Sequence, residues 1–155
     1  MAARGEAKKA PRTIGQVVGR NLAQLREQRG QTQQEAADFL RMNGLAWTAA
    51  NIASIESGRR ESIDLGALTL LAEAYDVRPS RLFEGEGEMR LGAEVTVSLK
   101  SYRRWLDGPV RPVLTFTGSV ARKQIASMPA DGMFRFQADA ELAARLGLTP
   151  QDVYQ

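Results

Sequence analysis

The chain has 155 residues, 43% hydrophobic and 25% charged, with 21 Lys/Arg against 18 Asp/Glu for a formal net charge of +3. That length fits one ordinary domain or two small ones and excludes a large enzyme fold, because domains commonly run to roughly 100–150 residues. Cysteine and histidine are both absent, which excludes disulfides, thiolate chemistry, and the commonest general base and metal ligand, so no catalytic residue, metal or cofactor is expected.

No stretch approaches the roughly 20 apolar residues that span a bilayer, and the amino terminus lacks a signal-type apolar run, which predicts a cytoplasmic protein with no membrane partner. Charge is uneven along the chain. Residues 1–30 carry seven Lys/Arg against two acids (+5), residues 31–85 five against eight (−3), and residues 86–155 nine against eight (+1). The positive charge is concentrated at the front.

Residues 1–12 have no periodic apolar positions and carry Lys8, Lys9 and Arg12 beside Pro11, which predicts a flexible basic arm able to track a phosphate backbone. From Thr13 the spacing of Ile14, Val17, Val18, Leu22 and Leu25 predicts a helix with one apolar stripe, stopped at Gly30. Thr32 and Glu35 stand in capping-box register ahead of Ala36, Ala37, Phe39 and Leu40, predicting a second, short helix. Periodicity is lost over Arg41–Trp47 around an Asn-Gly pair, which marks a turn. Thr48 is then an N-cap for a third helix through Ser57, stopped by Gly58 and followed by Arg59 and Arg60. Ser62 or Asp64 caps a fourth helix with Leu65, Leu68, Leu71, Ala72 and Tyr75 on one face, and Pro79 begins a short fifth that ends near Phe83.

The glycines and charges of residues 85–92 predict a linker, giving a helical domain over 13–84 and a second domain over 93–155. Beyond it a period of two at Val95, Val97 and Leu99, around Leu114 and Phe116, and at Phe134 and Phe136 predicts three strands. Helical pieces are expected at Tyr102–Leu106 and Ala138–Leu146. The expected fold is a two-part α+β chain, five helices followed by a small α+β unit.

Two short helices joined by a turn, the second presenting small residues, make the helix-turn-helix plan for entering the DNA major groove. The chain here resembles the Xre/Cro family of phage-repressor-like regulators. The resemblance rests on Leu25-Arg26, on Gly30-Gln31-Thr32-Gln33-Gln34-Glu35, on Ile52 through Arg60, and on Leu68 through Val77. Between Glu35 and Glu56 the chain is longer than the usual family spacing, with the surplus in Arg41–Trp47, as in actinobacterial-type members that carry a Trp just ahead of the recognition helix.

The resemblance implies a lambda-repressor-like helical domain binding a double-stranded DNA operator as a homodimer. It implies that Gln33 opens the second helix, holds a phosphate and braces the recognition helix. Thr48, Ala49, Ala50, Asn51 and Ser54 fall where relatives enter or flank the major groove, and Arg59 and Arg60 where they place phosphate-contacting cations. Arg26 and Glu56 match a structural salt bridge between the first and third helices. Asn can pair with adenine, Ser and Thr can donate or accept, and Ala can touch a thymine methyl, so this set favours methyl contacts and DNA shape.

In the second part, Tyr102-Arg103-Arg104-Trp105 mixes aromatic and basic residues; it fits an amphipathic junction with Trp105 in the core, or an accessory nucleic-acid contact. Glu141–Val153 resembles the front of another helix-turn-helix but fits better as a helix followed by a Thr-Pro helix start. The 93–155 unit is expected to serve self-association or docking of a protein partner. Three functions compete: a transcriptional regulator acting as a repressor, phage-type immunity repressors included; an antitoxin-like interaction protein that autoregulates through the helix-turn-helix; and a Mg²⁺ nuclease using Glu86, Glu88 and Glu94, the weakest of the three. The operator-bound protein would associate with the nucleoid.

Overall fold

The computed structural model describes residues 9–109 and 114–118. Lys8, the strand expected at Phe134 and Phe136, and the helices expected within 138–153 lie outside the described residues. The chain divides into two compact units, residues 1–115 and 116–155.

The first unit begins with a two-residue strand β1, Arg12–Thr13, running directly into helix α1, Ile14–Gln28. Thr13 ends the strand and caps the helix at once: its hydroxyl accepts from the Gln16 amide at 3.1 Å, and the Gln16 side chain accepts from the Thr13 amide at 2.9 Å. The same reciprocal arrangement opens α2, Gln33–Met42, at Thr32 and Glu35, and α3, Ala49–Glu56, at Thr48 and Asn51. Asp64 caps α4, Leu65–Tyr75. The fifth helical piece is a 3₁₀ turn, Pro79–Phe83, with Pro79 where its missing N–H leaves no bond unmade. Gly30 and Gly58, expected to stop their helices, lie in left-handed backbone at φ 66° and 77°.

The apolar stripes meet in one core. Val17, Val18, Leu22, Ala36, Ala37, Leu40, Ile52, Ile55, Leu71, Leu82 and Phe83 are all buried, and burying a Val, Leu, Ile or Phe side chain contributes about 1.5–3 kcal/mol each. Leu65 does not join them. As the first residue after the Asp64 cap it is 77% exposed, one turn short of the face that Leu68 and Leu71 turn inward.

The linker expected over 85–92 is corrected by the fold. Glu88–Gly92 form strand β2, which pairs parallel to β1 (Arg12 with Met89, Thr13 with Arg90) and antiparallel to β3, Val95–Ser98. The physical reason is the period-two pattern inside this charged stretch, which turns Met89 into the core and leaves Arg90 outside. Helix α5, Leu99–Asp107, follows β3 without a break, and β4, Leu114–Phe116, closes a four-stranded sheet of order β1-β2-β3-β4. Met89, Val97 and Leu99 are fully buried and continuous with the helical core. Helices, β2, β3 and α5 therefore share one unit, and the domain boundary expected before residue 93 is not there. The chain is α+β with an N-terminal helical domain, as its sequence predicts.

Two further expectations change. Arg12, assigned to the flexible arm, is held in β1, and its guanidinium donates to the Glu86 carbonyl oxygen. Trp105, expected in the core, is 43% exposed. On α5 it is Leu99, Tyr102 and Leu106 that face the core; Tyr102 packs edge-on against Phe83 at 4.8 Å between centroids, and Trp105 lies against Tyr102 at 5.4 Å.

Candidate nucleic-acid interface

α3 is short, and what aims it is a set of contacts to its neighbours. Gly15 and Gly19 lie on the face of α1 that meets the end of α3 and the chain beyond it. A Cβ on Gly19 would fall far inside contact distance of the Ile55 carbonyl oxygen, and one on Gly15 would do the same to the Arg60 carbonyl oxygen. Only glycine permits that approach. The Gly15 amide also donates to the Glu61 carbonyl at 2.8 Å, so α1 grips the segment after α3 as well as the helix itself.

At the end of α3, Glu56 is the hub. Arg26 on α1 donates to it twice, Nε to Oε1 at 2.7 Å and Nη2 to Oε2 at 3.1 Å, and its Nη1 donates to the Gln31 carbonyl at 2.7 Å. Gln33, the first residue of α2, donates its Nε2 to Glu56 Oε2 at 2.8 Å. Both ionic side chains are largely out of water, 13% and 8% exposed. The Glu56 carboxylate raises the Arg26 pKa above its ordinary value, with desolvation acting in the opposite direction. The salt bridge and the glutamine, expected separately, form one network tying α1, the start of α2 and the end of α3 together.

Apart from Glu56 at its end, α3 carries no charged side chain. Thr48 and Ala50 are exposed, and Ala49, Asn51, Ala53 and Ser54 are half-buried. Asn51 Oδ1 is engaged by the cap, accepting from the Thr48 amide at 2.9 Å and the Thr48 hydroxyl at 3.0 Å. Bidentate pairing with adenine uses both ends of an amide, and here one end holds the helix start.

The two arginines after Gly58 separate in the structure. Arg59 is exposed, with Nε donating to the Ser57 hydroxyl at 3.2 Å. Arg60 is half-buried, its guanidinium 5.0 Å from the centroid of Trp47, whose ring is buried just ahead of α3. Such stacking orients a cation and covers one face of its fork. Lys9 is exposed near the start of the described chain, while Arg12 sits in the sheet.

Sequence reasoning missed three positioning features: the Gly15/Gly19 pair, the Trp47–Arg60 stack, and Asn21. Asn21 is buried in α1 and its Nδ2 donates to the carbonyls of Val17, Leu82 and Glu84 at 2.9–3.0 Å, pinning the 3₁₀ turn and the chain leading to β2. The glycine spacing was visible as two small residues one helical turn apart. A polar residue within the apolar stripe was the signal at position 21.

Residues 17–83 match a family model described as a helix-turn-helix domain, which supports a helix-turn-helix DNA-binding family for this part of the chain. No curated protein and no solved structure matches the chain. Among the described residues no helix is long and apolar enough to cross a membrane, and no three acidic, His or Cys side chains are grouped to hold a metal ion.

Proposed function

We propose that this chain is a sequence-specific double-stranded DNA-binding transcription regulator of the Xre/Cro type, acting as a repressor, with α3 in the major groove. The observation that carries the proposal is the mounting of α3: a short capped helix with small neutral outer residues, fixed at its end by close glycine contacts from α1 and by the Arg26–Glu56–Gln33 network. A helix that reads base edges needs a fixed orientation and side chains short enough for deep entry.

Base readout in this proposal falls to Thr48, Ala49, Ala50 and Ser54, through methyl contacts and hydroxyl hydrogen bonds, with Asn51 holding the helix start and DNA shape supplying the rest of the specificity. Arg59, with Lys8 and Lys9 of the arm, makes phosphate contacts. Arg60 reaches the backbone from its Trp47 platform. Gln33 braces Glu56 with its side chain and meets a phosphate through backbone N–H groups at the start of α2. Arg12 serves the sheet instead.

Selection of bound sites from a pool of random duplexes tests this. A recovered consensus, bound roughly 10³-fold or more tightly than unselected duplex, supports sequence-specific binding; a palindromic consensus with half-sites about one turn apart further supports a homodimer. Recovery of no consensus rejects the proposal.

A further inference from the structure

The 3₁₀ turn and α5 flank an open surface cleft of about 480 Å³. Five cations line it, Arg78 and Arg81 from one wall and Lys100, Arg103 and Arg104 from the other, against two carboxylates, Glu84 and Asp107. Arg81 is already committed to Glu84 at 2.5 Å. The side chains of the remaining four cations have no hydrogen bond or ion pair among the described residues. Lys100, Arg103 and Arg104 stand at i, i+3 and i+4 on one helix, where like charges repel. Arg103 is half-buried and its Nε has no acceptor among the described residues, so the hydrogen-bonding capacity of its guanidinium is not met within the chain.

We infer that this cleft binds a phosphate-bearing ligand, with Arg103 as its principal contact and Arg78, Lys100 and Arg104 around it. Four uncompensated cations facing the single carboxylate of Asp107 match a compact, multiply charged anion. Guanidinium forks suit phosphate oxygens geometrically. α3 packs on α1 and α2, whereas the cleft lies between the 3₁₀ turn and α5, so this phosphate is a second one, distinct from those beside the recognition helix. Its source is a polyphosphorylated small molecule or the DNA backbone, which share this chemistry and which the test below separates.

Calorimetric titration of the full chain with inorganic pyrophosphate at constant ionic strength tests the inference. Saturable binding is expected, weakened about tenfold or more by Arg103→Gln and by Lys100→Gln and unchanged by Arg41→Gln, since a charge-assisted hydrogen bond is worth at least that factor. Matching circular dichroism of wild type and Arg103→Gln separates a lost contact from a lost fold, and the exposed Lys100→Gln carries the test should Arg103→Gln unfold. A random duplex that displaces pyrophosphate identifies the source as DNA backbone; a duplex bound together with it identifies a small ligand. Absence of saturable binding, or equal affinity in wild type, Arg103→Gln and Lys100→Gln, overturns the inference.

Discussion

At the scale of single residues, helix starts are set by reciprocal caps, and one of them titrates. Glu35 is exposed, yet its carboxylate is held below the ordinary value of 4.5 by hydrogen bonds from the Thr32 backbone and then its side chain. A folded-state pKa lower than the unfolded one adds stability that is complete above the unfolded value and disappears as pH falls through the folded one. Urea unfolding of wild type and Glu35→Gln should therefore differ by a constant amount above about pH 5 and converge in more acidic buffer. A gap that persists unchanged into acid would show that the carboxylate charge contributes nothing. Arg59 makes a different kind of prediction, because a phosphate contact carries no sequence information. Arg59→Ala should weaken binding to every duplex alike and reduce the salt slope by about 0.9. Anisotropy titrations at several salt concentrations check it, and an unchanged slope would remove Arg59 from the interface.

At the scale of elements, the position of α3 depends on a close backbone approach and a largely buried charge network. Gly19→Ala places a methyl against the Ile55 carbonyl, which is backbone and cannot rotate away. The cost should be about 3 kcal/mol, the upper part of the usual range for overpacking, read from the shift of the urea midpoint. Ala is the better helix former at an exposed position, so a stabilised Gly19→Ala would mean that the two helices do not approach this closely. Glu56→Ala leaves the Arg26 guanidinium without its carboxylate and Gln33 without its acceptor. About 3 kcal/mol is expected, the lower end for truncating one partner of a buried pair because both side chains keep some solvent contact. DNA binding should then fail together with folding. A fully stable Glu56→Ala variant that no longer binds DNA would assign Glu56 to the interface instead of to the scaffold.

At the scale of the whole molecule, the helical domain was legible from sequence because each of its helices carries its own signals: a cap at Thr13, Thr32, Thr48 or Asp64, an apolar period near 3.6, and a stop such as Gly30 or Gly58. Those cues are local, and local cues survive in a single sequence. What was hidden depends on partners distant in the chain. Glu88–Gly92 reads as a polar linker until β1, whose paired residues lie 77 positions earlier, is seen beside it. Arg12 reads as a loose cation until its sheet position is known, and Arg60 as a phosphate contact equal to Arg59 until Trp47 is found beneath it. The residues expected to enter the groove do share the α3 surface, but the engagement of Asn51 in the cap follows from geometry that spacing alone did not single out.

With residues 31–85 acidic overall, the proposed DNA affinity rests on a few placed cations and on the fit of α3, not on a general positive field. That makes Ala50 the sharpest probe. It is exposed on α3 and has no partner to lose, so Ala50→Glu adds a negative charge to the proposed groove face while leaving the scaffold intact. The decisive measurement is the affinity of Ala50→Glu, checked for an unchanged urea midpoint, for the duplex selected by the wild-type chain. Repulsion and clash in the groove predict a loss of about 100-fold or more, whereas wild-type affinity would contradict the placement of α3 on DNA.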